Sequence, residues 1–146
     1  MREKQGFTLI EMMVVVAILA IIAAIAIPNL MRSRVQANEA SAIEDLSVIC
    51  QAQISYNAGH MTFSSFADLT DDSDGPPFLD DGWVEGREKN GYIFSMAAAG
   101  PTAFVCFADP VEHGVTGSRF YRVDTSGVVR FNASGRPSDT DPPVGG

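Results

Sequence analysis

The residue best placed to do chemistry is Glu11, because from Phe7 to Ile27 only Thr8 and Glu11 are not apolar. A carboxylate in such surroundings costs about 2.5–3.5 kcal/mol on membrane-insertion scales, and by default it marks function. Its chemistry is to attract a positive group, which offsets that cost; a helix start, where the dipole favours anions, also suits it. The two cysteines, Cys50 and Cys106, form a second candidate. Outside the cytoplasm a disulfide between them is chemically permitted, and it would contribute roughly 4 kcal/mol in the chain-entropy account. The other reading is two buried thiols packed as small hydrophobes. A third candidate runs from Thr70 to Asp81, where Asp72, Asp74, Gly75 and Asp81 fall at the third, fifth, sixth and twelfth positions of a calcium loop. The first position is Thr70, Pro76 and Pro77 follow the glycine, and the bidentate glutamate is missing. A solvated acidic loop is the plainer reading, so no cofactor or metal is expected, calcium at Asp72, Asp74 and Asp81 being the sole candidate. His60 and His113 are isolated, without zinc spacing. No phosphate-cradling glycine motif or nucleophile elbow occurs, and Trp83 reads as core. No catalytic residue and no enzymatic activity are expected.

The element that must position Glu11 is a helix. Phe7–Ile27 is 21 residues, about 31 Å of helix at ~1.5 Å per residue, the thickness of a bilayer core. A secretory signal peptide with its cleavage site near Ala23–Ala26 would place Glu11 inside its apolar region. A plain signal anchor gains nothing from the carboxylate, and a small soluble domain rarely buries so long a run. The net charge is −8. The flank Met1–Gly6 carries +1 and segment 57–90 carries −6. The basic flank favours a cytoplasmic N-terminus, although Arg32 and Arg34 beyond the apolar run weaken that bias. An acidic head does not suit phosphate-backbone contacts, and no direct nucleic-acid binding is expected.

The stretch Lys4-Gln5-Gly6-Phe7-Thr8-Leu9-Ile10-Glu11 resembles the cleavage and methylation site of type IV prepilins and type II secretion pseudopilins. The clear likeness covers residues 1 to about 35. It implies a leader, 1–6, removed by a prepilin peptidase between Gly6 and Phe7, with methylation of the new amino group on Phe7. A glycine suits that cut because it lets the peptidase approach the backbone. It also implies that Glu11 attracts the amino terminus of a neighbouring subunit during assembly; the alternative is pairing with its own amino terminus or with the helix dipole. Pro28 is implied as a helix kink, or else as an ordinary helix end at the membrane surface. Ala17, Ala20, Ala23, Ala24 and Ala26 would allow close helix–helix approach. The implied partners are further copies in a helical filament, the peptidase, an inner-membrane assembly platform, and lipid before assembly. The implied location is a single-pass inner-membrane protein with its head outside the cytoplasm, then an extracellular or periplasmic filament.

The rest of the chain is expected to build an α+β head, giving a pilin-like lollipop. Residues 7–30 form the membrane-spanning half of one helix and 31–56 its amphipathic half, with Ile43, Leu46, Cys50 and Ile54 stepping along the buried face. The opposite face carries Glu39, Glu44, Asp45, Ser47 and Gln51, and Gly59 is the expected cap. Residues 57–90 form an acidic loop with a short helix at Phe63–Leu69. Residues 91–132 form a four-stranded antiparallel meander, with strands at Tyr92–Met96, Ala103–Phe107, Phe120–Asp124 and Val128–Asn132. Phe104–Phe107 is apolar on both faces, as an inner strand covered on both sides would be. Asp124-Thr125-Ser126-Gly127 is a hairpin turn, and the tail 133–146 is expected to be disordered.

The function expected is a structural subunit of a type IV pilus-like filament. A type II secretion pseudopilin shares the same N-terminal logic, but the Tyr-Pro-Thr-Thr-like stretch of major pseudopilins is missing after Tyr56. A membrane-anchored binding domain that never polymerises is the third reading.

Overall fold

The computed structural model describes residues 7–73 and 75–145. The chain divides into two units on either side of the Arg34–Val35 bond. The elements, in order, are α1 (Leu9–His60), α2 (Phe66–Leu69), β1 (Arg87–Lys89), β2 (Tyr92–Ala99), β3 (Phe104–Pro110), β4 (Phe120–Asp124) and β5 (Arg130–Asn132). In the first unit α1 stands alone, and every described side chain from Phe7 to Arg34 is exposed.

In the second unit the rest of α1 packs on an antiparallel meander in the order β1-β2-β3-β4-β5. This is the expected α+β class, with five strands where four were expected. The added strand, β1, pairs Lys89 with Tyr92 across a two-residue turn. Asn90 and Gly91 form that turn with φ of 49° and 75°, the two positive values that a tight hairpin needs. β3 is the central strand. Phe104, Cys106, Ala108 and Pro110 are buried, while Val105, Phe107 and Asp109 are half-buried on the other face. Both faces are therefore covered to some degree, the outer one partly by the Arg136 guanidinium, 4.7 Å from the Phe107 ring centroid.

Of the helix face that apolar periodicity predicts, Leu46 and Cys50 are buried and Ile43 packs against the core, but Ile54 does not. Ala42, Leu46, Ile49 and Gln53 form the stripe against the sheet, flanked by Glu39, Asp45 and Cys50, whereas Ile54 is 54% exposed. Leu46 and Ile49 each contribute about 1.5–3 kcal/mol by burial. The polar members stay inside because the head supplies partners. Glu39 Oε1 accepts from the Ser118 N–H at 2.9 Å and hydroxyl at 2.6 Å, and its Oε2 pairs with Arg119 at 2.9 Å. Asp45 pairs with Lys89 at 2.6 Å. Gln53 donates to the Ser64 carbonyl at 2.5 Å and accepts from the Ser64 N–H at 3.0 Å.

Two boundaries also move. The helix runs through Gly59 to His60 and reverses at Met61, whose φ is 58°. Stacking of His60 on Tyr56, with centroids 4.1 Å apart, joins side chains one turn apart and carries the helix past the glycine. The tail, expected to be disordered, is held as far as residue 145. Val144 packs against the core, its N–H donates to Val129 O at 2.8 Å, and Pro143 bridges to Arg130. Its Pro and Gly content suggested disorder, but Asp and Arg side chains tie it to the sheet.

Candidate assembly site

Thr8 precedes the first helical residue, Leu9, and Glu11 stands three positions after it. The Thr8 N–H and hydroxyl donate to Glu11 Oε2 at 2.8 and 2.6 Å, and the Glu11 N–H donates back to Thr8 Oγ1 at 3.3 Å. This is a capping box, in which two residues three apart satisfy each other's backbone groups at a helix start. Its signature, Thr-x-x-Glu, stands in the sequence at residues 8–11, and gives Glu11 a partner within its own chain. Both bonds to the carboxylate fall on Oε2. Glu11 therefore has a structural task within its own chain, and this task leaves its negative charge in place.

Beyond the cap, the helix presents apolar side chains on all sides. Leu9, Ile10, Val16, Ile21, Ile25 and Leu30 are each more than 60% exposed. It is the one helix among the described residues long and apolar enough to cross a membrane, with a mean hydropathy of 2.9 over an 18-residue window. Pro28 lies within the helix, which continues past it; the Ser33 hydroxyl donates to Asn29 O at 3.0 Å in the turn that follows. An apolar surface of this extent needs lipid or other protein around it.

The remaining candidates do not converge on this segment. Gly6 lies outside the described residues, and Phe7 is 79% exposed. Cys50 and Cys106 are free and buried in the structure, the arrangement in which each thiol packs as a small hydrophobe. Burial raises the pKa of both, with help from Asp124 at Cys50 and from Glu85 and Asp109 at Cys106. Asp72 and Asp81 are exposed, and Asp74 lies outside the described residues. Among the described residues no three metal-ligating side chains come together.

Residues 1–27 match the family described as the prokaryotic N-terminal methylation motif. That segment carries the likeness of the chain to type IV pilins and type II secretion pseudopilins. The chain is similar to the type IV major pilin protein of Myxococcus xanthus, 42% identical over 44% of this chain and 30% of the relative. The type IV wide pilus major component of Thermus thermophilus is 40% identical over 44% of this chain and 50% of its own length. The chain thus spans half or less of these two. The type II secretion system core protein G of Escherichia coli is 28% identical, over 77% of both chains.

Proposed function

We propose that the chain is a structural subunit of a type IV pilus-like filament, matured by cleavage between Gly6 and Phe7, methylated on Phe7, and assembled through its N-terminal helix. The observation that carries this is an apolar helix exposed on all sides, with one carboxylate in its first turn. Before assembly, lipid covers that surface and holds the protein in the inner membrane with its head outside; afterwards, the helices of other copies cover it. Removing the leader creates an amino group on Phe7, four residues from Glu11. A cation that exists only after processing couples assembly to maturation, because an unprocessed neighbour has no amino group on Phe7 to offer. Pro28 lacks the amide that would bond the preceding turn, which makes it the site where the helix bends on leaving the membrane. The subunit has no chemistry of its own; the peptidase and the assembly platform act on it.

A second reading, a type II secretion pseudopilin, is favoured by the longer alignment with the secretion core protein. Mass spectrometry of the protein purified from its native membrane tests the shared part. A chain of 140 residues starting at methylated Phe7 supports it; retention of Met1, or a start near Ala24–Ile27, overturns it. Deleting the gene and scoring surface fibres against secretion of exported enzymes then separates the two readings.

A further inference from the structure

The segment after β5 turns back across the outer face of the sheet. Arg136 donates to Asp109 Oδ2 at 2.5 and 2.8 Å and to Ser95 Oγ at 3.0 Å, over the Phe107 ring. Asp139 pairs with Arg122, which is 8% exposed and also meets Asp124 at 3.1 Å. The Asp141 carboxylate accepts from Asn132 at 3.0 Å, and its carbonyl accepts from Arg130 at 2.8 Å. Along the edge of β5, the Phe131 N–H donates to Pro142 O at 3.1 Å.

These contacts are unequal to those that hold the meander. Pro137 is buried and Val144 half-buried, but most other residues of the segment are exposed. The ion pairs draw on exposed partners: the side chain of Asp139 is 79% exposed and that of Arg136 50%. Pairs of that kind are worth about 0.2–1 kcal/mol each, and segments with few apolar contacts open first. An uncovered edge strand is a template for pairing with other chains. We propose that residues 133–145 form a strap held by ion pairs with exposed partners and a few backbone bonds, which opens as its own unit while the meander stays folded and which, when closed, guards the β5 edge.

An antiparallel ladder engages alternate amides. That of Phe131 faces Pro142, so only the strap protects it. Hydrogen exchange resolved to single amides, on the full chain in detergent micelles, reads this directly. In the unaltered protein the Phe131 amide should exchange faster than those of Cys106, Phe107 and Ala108 in β3. Arg136→Gln combined with Asp139→Asn should speed it about tenfold further, through the loss of two pairs that each have one exposed partner, with the β3 amides unchanged. If Phe131 exchanges in step with β3 in the unaltered protein, or the double variant leaves its rate where it was, strap and sheet open together and the proposal fails.

Discussion

The Glu11 carboxylate is bonded twice to Thr8, on one oxygen, so the residue proposed to recruit a neighbouring subunit already caps its own helix. The two tasks make different demands. Capping needs an acceptor, which glutamine also supplies; recruitment of an ammonium needs a charge.

Substitution can therefore separate them. Glu11→Gln keeps the box and should abolish filaments while the processed protein accumulates in the membrane. Thr8→Ala removes the cap at a cost of about 1 kcal/mol and should leave filaments present. Electron microscopy of sheared fibres, with membrane fractions probed for the subunit, scores both. Abundant fibres in Glu11→Gln would mean that capping is the whole role of the carboxylate.

Glu39 makes the head sensitive to acid. Burial alone would raise its pKa, but the bonds from Ser118 and the charge of Arg119 outweigh burial and hold it below the ordinary 4.5. Asp124 is likewise below 3.8: burial opposes the shift, and bonds from Ser126 and the charges of Arg122 and Arg130 drive it. With the folded pKa below the unfolded one, the stabilisation is complete above the unfolded value and is lost as pH falls through the folded one. Thermal melts by near-ultraviolet circular dichroism should thus be level from about pH 7 to pH 5 and fall below that. Glu39→Gln should cost about 1–3 kcal/mol near neutrality and flatten the acid limb. An unchanged limb in that variant would remove Glu39 as its source.

What the sequence made legible was whatever depends on local pattern. The apolar run, the β-branched and aromatic strands and the Asp124–Gly127 turn all speak through neighbours in the chain. Asn90-Gly91 is an equally local signal, the turn that joins β1 to β2 within the segment expected to be a loop. Glu39, Asp45 and Gln53 could not be read as buried, because their partners Ser118, Lys89 and Ser64 stand 79, 44 and 11 residues away. A polar residue is assigned to solvent unless its distant partner is known. The tail follows the same rule: its composition suggests disorder, and its order comes from Asp109 and Arg122 on other strands.

Cys50 and Cys106 should behave as inert core. Both are buried with pKa values pushed up, chiefly by burial, and the thiolate is the reactive form. A thiol reagent should label neither in the native protein and both after denaturation, and a reductant should leave Tm unchanged. A fall in Tm on reduction would reveal a bridge.

The helix face offers the sharpest comparison, since periodicity nominates Ile54 and the structure selects Gln53. Gln53 is fully buried, and its amide holds Ser64 by both backbone groups, fixing the chain where it leaves α1 for α2. Leucine fills nearly the same space but leaves the Ser64 N–H and carbonyl unpaired, each at a cost of about 1–3 kcal/mol. Gln53→Leu should therefore lower Tm by about 10 °C for a head of this size. Ile54→Ala, at an exposed position, should change stability by less than about 0.5 kcal/mol. The order would invert if the apolar period ruled, with Ile54→Ala the damaging change and Gln53→Leu stabilising. Melting the two variants side by side therefore decides which face of α1 lies on the sheet.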